Sequence, residues 1–250
     1  MNPSLMNRTQ DYVNRLLHIA GLELVRSHHH WDDPQAYLPF KETLLWAKQA
    51  SMSVGDYVEV TYNVPGATQE TINNMAALGV FCDDIQRVCE IGPGSGRYLE
   101  KTLQICHPAY YEIYETATDW AKWLAKRYPV TPQPTDGISL SATPTSSIDL
   151  VQAHKVFVAT PFLTTFRYFL EMMRVTCAHG KIVFDVMTEA CMDDATLNRW
   201  MKLDVQPGVY PNLIPKQYVL NFFCKRGFHL VGSFFIACQP GKTECMVFMH

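Results

Sequence analysis

Three glycines at alternate positions, Gly92, Gly94 and Gly96, follow the run Val88-Cys-Glu-Ile91 and precede a segment that reads as helix from Arg97 onward. Glycine belongs where backbone bends sharply or lets a bound molecule approach without a Cβ in the way. The loop is therefore expected to press against a ligand at the end of a buried strand. The dinucleotide fingerprint G-x-G-x-x-G would need glycine at position 97, where the chain has Arg97, so a nicotinamide or flavin site is disfavoured. Glu115 stands about 20 residues beyond the loop, where a carboxylate can accept both hydroxyls of a ribose. His28, His29 and His30 form a run whose neutral imidazoles are able to ligate a metal or position a substrate. Adjacent histidines cannot all point into one site, a solvent-facing loop is the simpler reading, and no metal is assigned.

These residues need a frame. From Arg87 the pattern alternates: strand 87 to 91, helix 97 to 105, strand 110 to 115, helix 117 to 127, a short strand near 130 to 134, strand 148 to 154, helix 162 to 176 and strand 181 to 187. That rhythm implies an α/β fold with a mostly parallel sheet covered by helices on both faces, and ligands in such sheets sit beyond the carboxyl ends of the strands. A helix from 215 to 226 stops at Gly227, and two apolar strands, His229 to Ala237 and Thr243 to Met249, meet at Gln239-Pro-Gly-Lys242, a hairpin signal that makes the final strand antiparallel. Ahead of the sheet, residues 4 to 20 and about 34 to 50 read as amphipathic helices, the second with Asp33-Pro34 at its start. Ser53 to Asn63 fits strand or helix equally, and Thr68 is placed to cap a helix running to Gly79.

Composition narrows the partners. A chain of 250 residues holds one large α/β unit with an appendage. A net charge of −3 gives no general attraction to phosphate backbones, so a nucleic-acid partner is a poor expectation. The eight cysteines include no C-x-x-C pair and read as buried reduced thiols of a cytoplasmic protein. No stretch approaches the roughly 20 apolar residues of a membrane span.

The segment Glu90-Ile-Gly92-Pro93-Gly94-Ser-Gly96 resembles the first motif of the class I S-adenosylmethionine-dependent methyltransferases, an acidic residue followed by G-x-G-x-G. The resemblance covers roughly residues 85 to 250. It implies a Rossmann-like, doubly wound, seven-stranded sheet of order 3-2-1-4-5-7-6 with the last strand antiparallel, and S-adenosyl-L-methionine as cofactor. Residues 1–84 would then be an N-terminal helical lid, its aromatics Trp31, Tyr37, Tyr57 and Tyr62 lining the acceptor pocket, and 85–250 the cofactor-binding core. Glu115 would hold the ribose, and Asp136 with Gly137 the adenine amino group. His154, at the end of the fourth strand, faces the sulfonium in the family fold and is the candidate general base. Asp185 and Glu189, after the next strand, would orient the histidine or the acceptor. Magnesium dependence is disfavoured because the fourth strand ends in His154-Lys155 and not in an acid. The implied activity is methyl transfer to a hydroxyl of a sugar, glycan or other small molecule. A phenolic or natural-product hydroxyl, or a non-catalytic cofactor-binding partner of another enzyme, remain alternatives, and homo-oligomerisation is left open.

Overall fold

The computed structural model describes residues 38–81, 85–202 and 211–250. The helix expected over residues 4 to 20 and the Asp33-Pro34 helix start lie outside them. Three helices precede the sheet: α1 (Phe40–Gln49), α2 (Val54–Tyr62) and α3 (Ala67–Ala77). The segment left open between strand and helix is helical because Ser53 caps it. Its Oγ accepts from Asp56 N at 3.0 Å and donates to the Asp56 carboxylate, satisfying groups at the helix end. The expected cap at Thr68 is corrected: the Pro65-Gly66 turn leaves Gly66 left-handed at φ 86°, so Gly66 takes the cap and Thr68 lies buried in the first turn.

The chain then alternates through β1 (Arg87–Ile91), α4 (Arg97–Ile105), β2 (Tyr110–Tyr114), α5 (Thr118–Arg127), β3 (Thr131–Pro132), β4 (Ile148–Ala153), α6 (Phe162–Val175) and β5 (Thr176–Val186). It continues through α7 (Asp194–Lys202), α8 (Lys216–Cys224), β6 (His229–Cys238) and β7 (Gly241–Met249). The seven strands lie in the order β3-β2-β1-β4-β5-β7-β6. β1 pairs in parallel with β2 and β4, and β4 with β5, while β7 runs antiparallel between β5 and β6. The expected sheet order and antiparallel hairpin are thus those of the protein. β5 begins earlier than position 181, because α6 runs straight into it and Thr176 pairs opposite Ile148. α7 went unread in the sequence; Asp193 Oδ1 caps it by accepting from Thr196 N at 2.7 Å.

Each face of the sheet carries its own core. On one, Val88, Ile113, Leu150, Val183 and Val247 pack against Ile72 and Met75 of α3, Leu99 of α4 and Leu124 of α5. On the other, Ile91, Val151, Phe184 and Phe248 meet Phe169 and Met172 of α6 and Phe223 of α8. β1 and β4 lie at the centre of the sheet and are buried on both faces, and the two polar side chains they bury, Glu90 and Gln152, bond to each other. The described cysteines are all free; Cys89, Cys191 and Cys245 are buried, but Cys224 is exposed, against the expectation of uniformly buried thiols. Among the described residues no helix is long and apolar enough to cross a membrane.

Candidate active site

The central strand β1 delivers the glycine loop to the carboxyl edge of the sheet. Gly92, Gly94 and Gly96 adopt φ of 60°, 52° and 76°, the left-handed region that costs a side chain about 1–2 kcal/mol. A Cβ on Gly92 would come within 2.8 Å of Val156 Cγ2, and one on Gly96 within 2.5 Å of Leu124 Cδ2. One on Gly94 would meet only Leu38 Cδ1, at 3.6 Å. Packing thus fixes the first and third glycines, and conformation alone fixes the second. Gly92 N donates to Tyr114 O and Gly96 N to Pro93 O, each at 2.8 Å, so the loop is tied to β2 and to itself. Glu115, just past β2, closes the arrangement. Its Oε2 accepts from Gly94 N and its Oε1 from Ala117 N, both at 2.8 Å. Burial raises the Glu115 pKa, and the two N–H donors offset part of that rise.

Glu90 supports the loop from beneath. It is buried on the α4-facing side of the sheet, where Oε2 accepts from Tyr111 Oη and from Gln152 Nε2, the latter at 3.0 Å. Gln152 stands opposite Glu90 in the β1–β4 register and also donates to Thr102 of α4. Burial pushes the Glu90 carboxyl up to about 7, against the Tyr111 and Gln152 bonds that favour its charge. Sequence reasoning gave Glu90 to the cofactor; the structure commits its carboxylate to this network.

The end of β4 gathers the remaining chemistry. His154 is 5% exposed, its ring stacked on Tyr98 at 4.1 Å between centroids and 17° between planes. Neither ring nitrogen has a hydrogen-bond partner among the described residues. Burial pushes its pKa down to about 4, with Asp185 opposing, so the imidazole is neutral at physiological pH. Asp185, expected to orient His154 or the acceptor, is bonded to Lys155, the residue after His154. Its Oδ1 accepts from Lys155 N at 2.6 Å and its Oδ2 lies 3.4 Å from Lys155 Nζ. Lys155 takes a φ of 61°, rare for a residue with a side chain, and Nζ reaches Thr243 Oγ1 of β7 at 2.8 Å. Burial works against charge on both partners, yet their attraction holds Asp185 below and Lys155 above the ordinary range. Arg97, at the start of α4, donates to Asn63 Oδ1 at 3.1 Å and lies 5.0 Å from the Tyr98 ring centre. Sequence reasoning missed Arg97 and the Lys155–Asp185 pair; the adjacent His154-Lys155 at a strand end was the available signal for the latter.

The other expected residues are more dispersed. Asp136 is exposed and folds onto its own turn, accepting from Ile138 N, Ser139 N and Ser139 Oγ, bonds that hold its carboxyl below the usual range. Gly137, at φ 76°, donates to Thr135 Oγ1 at 3.2 Å. Glu189 accepts from Lys216 N at 2.8 Å and so serves the start of α8. His28, His29, His30, Trp31 and Tyr37 lie outside the described residues. Above the loop, Trp120 Nε1 donates to Leu38 O at 2.8 Å and Phe40 packs edge-on against Trp120, which lays the chain ahead of α1 across Gly94. A cavity of about 210 Å³ lies between Leu38–Phe40 and Ala117–Trp120. A larger one, about 340 Å³, opens around Asp149 and Cys177 at the opposite edge of the sheet, where Asp149 Oδ2 is occupied by Gln86 N and Arg87 N.

No family model matches the chain, and no curated protein matches its sequence. Solved structures do match its fold. Magnesium protoporphyrin IX methyltransferase from Synechocystis PCC 6803, with bound S-adenosylmethionine, aligns at a TM-score of 0.59 and 10% identity over 91% of this chain and 100% of that one. An O-methyltransferase family protein from Burkholderia thailandensis aligns at 0.57 and 14% identity, covering 84% of this chain and 67% of its own. An S-adenosylmethionine-dependent methyltransferase from Mesorhizobium loti aligns at 0.54 and 14% identity over 70% and 96%. At such identities the likeness is one of architecture, and this chain has the Rossmann-like fold of the class I S-adenosylmethionine-dependent methyltransferases.

Proposed function

We propose that the protein is an S-adenosylmethionine-dependent methyltransferase that acts on an oxygen of a small-molecule acceptor. One observation carries this reading: three left-handed glycines at the end of the central strand, with the Glu115 carboxylate fastened 2.8 Å from the middle glycine's N–H. A carboxylate there can exchange its backbone partners for the two hydroxyls of a ribose, and the glycines admit a ligand against bare backbone. Gly92, Pro93, Gly94 and Gly96 would hold the donor, with Glu115 on the ribose and Asp136 and Gly137 beside the base. Residues 1–84 would act as the lid and 85–250 as the core, the fixing of Leu38 over Gly94 supporting that division. When bound, S-adenosylmethionine supplies an electrophilic methyl carbon, whose bond to sulfur breaks as the acceptor oxygen's bond forms. The chain's own part is chiefly to hold the acceptor in line and exclude water. Neutral His154 keeps a lone pair for a hydroxyl proton of a sugar, phenol or other small alcohol, although its low pKa makes it a weak base. Lys155 and Asp185 brace that strand end through each other.

Calorimetric titration with S-adenosylhomocysteine tests the reading. The protein is expected to bind it with a stoichiometry of about one, and Glu115→Ala to weaken binding by at least about tenfold, the equivalent of about 1.4 kcal/mol. No binding by the unaltered protein, or equal binding by the variant, would remove the adenosine site.

A further inference from the structure

A row of aromatic rings joins α6 to α8 and continues out to solvent. Phe162 lies 6.0 Å from Tyr218 between ring centroids, and Phe166 lies 4.8 Å from Phe222. Phe166 is buried and Phe222 half-buried, but Phe162 is exposed and Tyr218 is 53% exposed. Leu163, 73% exposed, widens the patch, and Leu170 stands two turns further along the same stripe of α6. The core beneath is already filled by Phe169 and Phe223, both fully buried, so these outer side chains are surplus to it. Single exposed leucines are ordinary, whereas a continuous aromatic and aliphatic face across two helices marks a contact surface.

Charge says what touches it. Arg167 sits between Leu163 and Leu170 on the α6 stripe, and Lys225 and Arg226 follow α8. All three are exposed, and none pairs with a carboxylate among the described residues. The Arg226 guanidinium lies 3.8 Å from the centre of the Phe222 ring while Nη1 donates to Phe222 O at 2.8 Å, which fastens a cation to the apolar face itself. The only acid within the two helices, Glu171, is held by Arg174 at 2.7 Å, and Glu189 adjoins the start of α8. Three open cations against one acid leave the margin of the patch positive. A second copy of this chain is a poor occupant, because a twofold contact repeats the same patch on both sides and sets these cations against themselves.

We propose that the α6–α8 face docks on an anionic lipid bilayer, with Phe162, Leu163 and Tyr218 entering the headgroup layer and Arg167, Lys225 and Arg226 meeting lipid phosphates. The contact is peripheral, since helices of 14 and 9 residues are too short to span. The head of α6 is also tied to the glycine loop: Val156 lies against Gly92, Thr160 Oγ1 donates to Val156 O, and Asn212 Nδ2 donates to Thr160 O. Docking therefore sets that rim beside the membrane, and it does so whether or not the methyltransferase reading holds.

The test mixes the full chain, at low salt, with vesicles of phosphatidylcholine alone or of equal parts phosphatidylcholine and phosphatidylglycerol, and floats them on a density gradient. The protein is expected to float with the mixed vesicles, to bind phosphatidylcholine alone at least about tenfold more weakly, and to be released by added salt. Leu163→Glu, and separately the triple variant Arg167→Gln, Lys225→Gln and Arg226→Gln, should each lose at least about tenfold. Leu45→Glu, at an exposed leucine of α1, should bind as the unaltered protein does. All these positions are exposed, and urea unfolding of each variant checks that it is folded before vesicles are added. No flotation, equal binding to both lipids, an unchanged Leu163→Glu, or the same loss in Leu45→Glu would overturn the proposal. So would a dimer seen by light scattering without lipid and dissolved by Leu163→Glu, since the face would then belong to a second copy.

Discussion

Asp185 and Lys155 show how a pair of charges can be structural in a place where sequence expects catalysis. Asp185 is fully buried and the Lys155 side chain is 13% exposed, and a charge removed from water stays ionised only with a partner. Asp185→Asn should therefore cost about 3–5 kcal/mol, because Lys155 is left charged without its counter-ion. The double replacement Lys155→Met with Asp185→Leu should be more stable than either single variant in urea denaturation. A cycle in which the two effects simply add would show that the pair is uncoupled. The glycine loop was legible in the sequence since its requirement is local: three bends within five residues admit few other residue types. The Lys155 contacts were not, because Asp185 is 30 positions away and Thr243 88, and only the folded sheet brings them together.

At the scale of elements, the buried hydrogen bonds of Glu90 join β1, β2, β4 and, through Gln152 and Thr102, α4. A carboxyl raised to about 7 in the fold, against an ordinary 4.5, holds its proton more tightly folded than unfolded between those values. Its contribution is fully present below about pH 4.5, declines as pH rises through the window, and is gone above about 7, a span of about 3 kcal/mol. Glu90→Gln removes that titration while keeping an acceptor for Tyr111. The variant should gain on the unaltered protein between pH 5 and pH 8, by up to about 3 kcal/mol in urea unfolding, and parallel pH profiles would refute the assignment. Element boundaries followed the same division between local and distant causes. β1, α4 and β2 were readable from periodicity, whereas α2 was ambiguous until the Ser53–Asp56 capping pair is counted, and α7 hides behind a short aspartate cap. β5 was drawn short because its first residues pair with Ile148 without an apolar run to mark them.

Over the whole molecule, the mostly parallel sheet and its closing hairpin were legible in the alternation of strand and helix and in the Pro-Gly turn near position 240, whereas the order of the strands followed only from the resemblance carried by the glycine motif. What holds the layers together was less visible, since an aromatic cluster is assembled from distant segments. Phe223 of α8 stacks 4.2 Å from Phe248 of β7 and 5.5 Å from Phe184 of β5, all fully buried. Phe223→Ala should cost about 3–5 kcal/mol in denaturant while leaving S-adenosylhomocysteine affinity of the folded fraction within about twofold, as the cluster lies away from the glycine loop. Insertion of β7 between β5 and β6 has a consequence for synthesis. β6 leaves the ribosome first yet has no direct neighbour on the nascent sheet, and β5 keeps an open edge until the returning strand fills the gap. Thr243 arrives with that strand, so the lysine it receives is braced only once translation has passed the hairpin, and a partly made chain carries the glycine loop while the end of β4 is still unsupported.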